Sequence, residues 1–145
     1  MPQADFYILK QSEEEQRLFF ACRLTEKAMA QGMKIYIHAP SEQSAQDMDD
    51  LLWSFKPESF IPHTIVGLDD EMEEDDEVPV LIGYQGNESA RGQLLINLSA
   101  ELPEGHGDFE RIAEIVANSD EAKAVSREHW NAYKALGFEL NHHQL

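Results

Sequence analysis

The strongest constraint in this chain is the alternation of short apolar runs with amphipathic stretches of helix length. Phe6-Tyr7-Ile8-Leu9 is four apolar residues with no polar face, the pattern of a strand covered on both sides. Leu18, Cys22, Thr25 and Met29 follow at helical spacing, with Phe19 beside them. Ser12 and Glu15 are spaced as a capping box at the start of this helix, and Gly32 marks its stop. Lys34 to Ala39 is a second apolar run. Strand, helix and strand in this order form a βαβ unit, which is parallel and right-handed in nearly all proteins.

The rest of the chain continues the theme. Pro40-Ser41 opens a helix whose apolar side is Ala45, Met48, Leu51, Leu52 and Phe55, and Pro57 blocks its continuation. Residues 58–66 contain Pro62 and predict an extended loop leading into a short, non-central strand. Strands are expected over 78–84 and 93–98, the latter as the last clear one. A helix capped by Asp108 is expected to carry Phe109, Ile112, Ile115 and Val116 and to end near Asn118. The last helix runs from a cap at Ser119 or Asp120 to Gly137. Phe138 to Leu140 adds a short extended segment, and 141–145 is expected to fray. The pattern predicts one three-layer α/β domain over residues 1–145, with a largely parallel, Rossmann-like sheet and no phosphate loop.

Charge narrows the function. The net charge is −17, which disfavours tight binding to a phosphate backbone by the chain as a whole. Eight acids fall within residues 69–77, and this run is expected to be a solvated, mobile loop. It lacks the glycine-punctuated spacing of a calcium loop. The single cysteine, Cys22, sits in an apolar helical pattern and is expected to be buried and inert. Neither a signal peptide nor a membrane-length apolar run is present, so a soluble cytoplasmic protein is expected.

Catalytic patterns are weak. The turn after the first strand, Lys10 to Glu15, has no glycine and three glutamates that would repel phosphate. Gly83 and Gly86 make only a partial phosphate-loop match. A Gly-x-Ser-x-Gly elbow and a His-x-x-x-His pair are both missing. His129 falls on the apolar side of its helix and reads as a hydrogen-bonded core residue, while His142 and His143 could hold a metal only adventitiously. No catalytic residue, cofactor or metal site is assigned.

Two constellations remain. Leu51 to His63 packs Trp53, Phe60 and two prolines around a helix end. Trp53 lies about 100° from Leu52, toward the edge of the apolar stripe, and suits a protein-binding anchor as well as a core position. The second is the last helix. Lys123, Arg127, Trp130 and Lys134 fall on one side of it. Three cations around an indole suit a short acidic peptide with a hydrophobic end, although a solvated face would show the same residues.

Together these stretches resemble the chi subunit of bacterial DNA polymerase III. The likeness is carried by Asp5 to Leu9, by Leu52-Trp53 with Phe60-Ile61-Pro62-His63, and by Arg127, Trp130, Tyr133-Lys134, Gly137-Phe138 and Leu140. It implies a non-catalytic α/β subunit of the clamp-loader complex, forming a heterodimer with psi and binding the acidic, phenylalanine-ended C-terminal tail of single-stranded DNA-binding protein. By position, psi would meet Trp53, Phe60 and Pro62. The tail would meet Lys123, Arg127 and Trp130, with Tyr133 and Lys134 nearby and Val116 flooring a phenylalanine pocket. DNA would be reached only indirectly. Trp130 stands where that family often has tyrosine, and the acidic run 69–77 is not a family feature. The alternatives are an adaptor for another partner such as a repair helicase, a nucleotide-binding α/β enzyme, and direct binding of single-stranded DNA through Trp130 and the cations.

Overall fold

A computed structural model describes residues 2–54, 62–65, 79–84, 92–103 and 105–145. Phe60, the acidic run 69–77 and the glycine-bearing turn after Gly83 lie outside these described residues.

Among the described residues the chain forms one seven-stranded sheet and three helices. The strands are β1 (Gln3–Ile8), β2 (Ile35–His38), β3 (His63–Ile65), β4 (Val80–Gly83), β5 (Leu94–Asn97), β6 (Arg111–Val116) and β7 (Glu139–Gln144). The helices are α1 (Glu14–Ala30), α2 (Glu42–Ser54) and α3 (Asp120–Ala135). The spatial order is β3-β4-β2-β5-β6-β1-β7, and every pairing is parallel. The expected α/β architecture is present, with more strands than the periodicity suggested.

Alternation along the strands sorts side chains into two cores. Ile35, Ile37, Val80, Ile82, Leu94 and Ile96 face Leu18, Cys22, Ala45, Met48 and Leu52 of α1 and α2. Phe6, Tyr36, Leu81, Leu95 and Ile112 face the other way, into a core that includes Tyr133 of α3. Helices therefore cover both faces, as an all-parallel sheet requires. Cys22 is fully buried, and burial pushes its thiol pKa up to about 12, so it is inert as expected.

Two helix ends are built alike. Gly137 takes φ 87°, its N–H donates to Lys134 O, and the Phe138 N–H donates to Tyr133 O. The Tyr133 and Phe138 rings then meet at 5.7 Å, the apolar contact that accompanies this closure. Gly32, with φ 80°, closes α1 through Met29 O in the same way. Arg17 fastens α1 to the carboxyl ends of the sheet, donating to Leu98 O at 2.6 Å and Ile115 O at 3.3 Å.

Four expectations need correction. Residues 111–116 are a strand, not the helix expected there. Phe109, Ile112, Ile115 and Val116 match helical spacing, but five of the six strand positions are buried, so both faces need apolar cover. Asp108 belongs to a short 3-10 turn, His106–Asp108. The C-terminal residues do not fray: β7 pairs with β1 from Glu139 to Gln144. Finally, Ser12 and Glu15 make no capping box, because α1 begins at Glu14 with Glu13 at the cap and no side-chain cap bond.

Candidate functional site

The site begins with the way α3 is set on the sheet. The Ser119 hydroxyl accepts from the Ala122 N–H at 3.1 Å, which fixes the first turn. Asp120 and Glu121 lie at the positive end of the helix dipole and Lys134 at the negative end, so charge order and chain direction agree.

Beneath α3 lies a buried polar cluster. Glu114, in the middle of β6, is 5% exposed. Its Oε2 accepts from Asn97 Nδ2 at 2.8 Å and from the Tyr133 hydroxyl at 2.5 Å. Its Oε1 lies 2.9 Å from His129 Nδ1, while His129 Nε2 lies 2.8 Å from Ala100 O. Both ring nitrogens face acceptors, so the geometry calls for a proton on each and an imidazolium paired with the carboxylate. Burial works against that charge, but the hydrogen bond and charge of Glu114, together with Ala100 O, hold the His129 pKa above the ordinary 6.5. Burial, and then the Glu114 charge, raise the Tyr133 phenol pKa. His129 is thus the hydrogen-bonded core residue that its helix position implied.

This cluster fixes what α3 turns outward. Trp130 is half-buried, with its ring 5.2 Å from Phe6 and 6.5 Å, edge-on, from His142. Lys123 is half-buried, and Arg127 and Lys134 are exposed. Among the described residues none of these three cations forms an ion pair. They run along the helix over about 16 Å, at 1.5 Å per residue. Arg127 and Trp130 are one turn apart, so a carboxylate held by the guanidinium would lie beside the indole.

Tyr133 and Val116 do not share that surface. Tyr133 is 0% exposed and is committed to Glu114, and Phe6 packs against both its ring and that of Trp130. Val116 is buried at the end of β6 and lines a crevice of about 310 Å³ with Ala122, Val125 and Ser126. Neither Trp130 nor the three cations line this crevice. It opens where β1 sends its helix to one face and the adjacent β6 sends its helix to the other, the place where open α/β sheets hold ligands. Here Glu14 and Glu121 border it, and Arg17 is already engaged by Glu14 and Leu98 O. That setting is unfavourable to a phosphate.

The other constellation lies at the end of α2. Trp53 is 54% exposed, and its ring stands 5.0 Å from that of His63. His63 Nε2 is 2.8 Å from Asp49 Oδ1, within ion-pair distance. Pro62, half-buried, immediately precedes β3. Trp53 and Pro62 thus belong to one corner, between α2 and the edge strand. The expected third member, Phe60, is not among the described residues.

Residue order alone does not reveal the Asn97, Glu114, His129 and Tyr133 cluster as a unit. A lone glutamate inside an apolar run was the available signal, and it was absorbed into a helical pattern. Among the described residues no group of three or more His, Cys, Asp or Glu side chains could hold a metal, and no helix is long and apolar enough to cross a membrane.

The fold and the two surfaces define a parallel α/β protein whose distinctive residues lie on its exterior. Among solved structures, a chain in an S. cerevisiae Dbp5 complex has this fold, with a TM-score of 0.64 and 13% identity, matching 99% of this chain and 42% of that one. The C-terminal domain of the DEAD-box protein Dbp5 matches with a TM-score of 0.60 and 10% identity, over 98% of this chain and 90% of that one. At such identities the likeness is one of fold alone.

Sequence comparison goes further. The model of the family "DNA polymerase III chi subunit, HolC" matches residues 1–141, and the chain belongs to that family. The DNA polymerase III subunit chi of Pseudomonas aeruginosa is 37% identical over 145 residues, covering 100% of this chain and 98% of that protein. Its Haemophilus influenzae counterpart is 30% identical over 139 residues, covering 95% and 94%, and that of Escherichia coli is 28% identical over 146 residues, covering 97% of each. Membership supports an accessory role in DNA replication, within a polymerase III assembly.

Proposed function

We propose that this chain joins two replication proteins through two separate surfaces. The α3 face holds the acidic C-terminal tail of single-stranded DNA-binding protein. The corner at the end of α2 holds psi, and through psi the clamp loader. The chain itself carries no catalytic step in this reading and meets DNA only through its partners.

The observation that carries the proposal is the grouping of Lys123, Arg127 and Lys134 around Trp130 on a molecule of net charge −17. An acidic body repels nucleic acid at long range, whereas a local cationic face still captures a short acidic peptide. Arg127 supplies a planar fork for a carboxylate, the lysines supply point charges, and Trp130 supplies an apolar surface for an aromatic end. Phe6, its ring 5.2 Å from the indole, backs Trp130 from the sheet.

The test is calorimetric titration of the full chain with a peptide of several aspartates ending in phenylalanine. Arg127→Ala is expected to weaken binding by about 1.5–3 kcal/mol, the scale of a hydrogen bond to a charged group. Equal affinity of the variant and the parent would remove α3 as the tail site.

A further inference from the structure

The edge strand β7 sorts its two adjacent histidines onto opposite faces of the sheet. His143 faces α1: its ring stacks on Tyr7 at 4.9 Å, and its Nε2 is 3.1 Å from Asp5 Oδ1. His142 pairs in register with Phe6 and faces α3, its ring edge-on to Trp130 at 6.5 Å. The two rings therefore cannot share a metal ion. His142 is exposed, and Leu140, two residues earlier on the same face, is partly buried against the same core that Trp130 packs on.

The three cations of α3 follow the helix axis on the solvent side of Trp130. The other side of the indole is bounded by β7, where Leu140 is partly buried and His142 is the exposed polar ring. A peptide with several carboxylates that crosses the indole leaves the reach of the helix row and next meets His142. We propose that His142 is a contact residue of the peptide site, donating a ring N–H to a carboxylate of an acidic, aromatic-ended peptide seated on Trp130, so that the site spans α3 and β7. The proposal rests on the reading of α3 as the tail site.

The test measures binding of a fluorescein-labelled peptide of three aspartates and a C-terminal phenylalanine to the full chain. The variants are His142→Ala, His142→Asp, His143→Ala and Arg127→Ala. His142→Ala is expected to weaken binding about threefold and His142→Asp about tenfold, since the first removes a donor and the second opposes the ligand's charge. His143→Ala removes the ring one residue away on the other face, and should leave affinity within about twofold. In the unsubstituted chain, the peptide should shift the ring proton resonances of His142 more than those of His143.

Unchanged affinity in both His142 variants, or equal losses from His142→Ala and His143→Ala, would overturn the His142 contact. In either case a loss in Arg127→Ala would leave the α3 site standing. A parent chain that fails to bind the peptide would remove both.

Discussion

The two surfaces differ in what holds them and in what they offer. The α2 corner rests on apolar packing of Ala45, Met48 and Leu52, and it displays Trp53 beside His63. The α3 face rests partly on the buried Glu114, His129 and Tyr133 cluster, and it displays a half-buried indole among cations. The strands beneath them lie toward opposite ends of the sheet order, and six spacings separate β3 from β7, roughly 29 Å at 4.8 Å per strand. Under the proposed function, different chemistry at separated edges would let one small chain hold two partners at once, each with its own dependence on salt and pH.

The largest expected effect attacks the foundation of α3. His129→Ala leaves the Glu114 carboxylate buried without its imidazolium, and should destabilise the fold by about 3–5 kcal/mol in urea unfolding. Next is Trp53→Ala, expected to weaken psi binding by about 2 kcal/mol or more, as for an interface anchor, with tail binding unchanged. Surface plasmon resonance with each partner in turn reads both. If Trp53→Ala weakened the tail as much as psi, the two surfaces would not be separate.

Salt should part them further. Raising ionic strength from about 0.1 M to 1 M shortens the screening length from roughly 10 Å to 3 Å, so tail binding should fall severalfold while psi binding changes little. A tail affinity indifferent to salt would count against the cationic face.

The smallest effect is a pH slope. The folded pKa of His129 lies above 6.5, so its stabilising contribution is full below pH 6.5 and is lost as pH rises through the folded value. Urea unfolding at a series of pH values should show stability falling in that window. His129→Gln should flatten this slope. A parent slope that survives the substitution would place the titration elsewhere.

Much of this molecule was legible from residue order. The apolar runs of β1, β2, β4 and β5 stand out because strands buried on both faces need unbroken hydrophobic sequence. The ends of α1 and α3 were marked by Gly32 and Gly137, both in the left-handed region. The outward row of Lys123, Arg127, Trp130 and Lys134 followed from helical period alone.

What escaped depended on tertiary context. β6 carries a glutamate at its centre, tolerable only because Asn97, Tyr133 and His129 come from other elements to satisfy it. β7 is largely polar because it is paired on one side only, so no apolar run announces it. The family resemblance put Tyr133 near the outward site, whereas helical period set it on the apolar side and its hydroxyl commits it inward. Val116 was placed on a helix, and its strand position puts it under the start of α3.

The most direct test uses the chain's two tryptophans, one in each surface. Their indole N–H resonances can be followed in a uniformly ¹⁵N-labelled chain as an acidic, phenylalanine-ended peptide is added. The account predicts that the Trp130 signal moves with saturation while the Trp53 signal stays in place. Movement of Trp53 alone, or of neither, would contradict it.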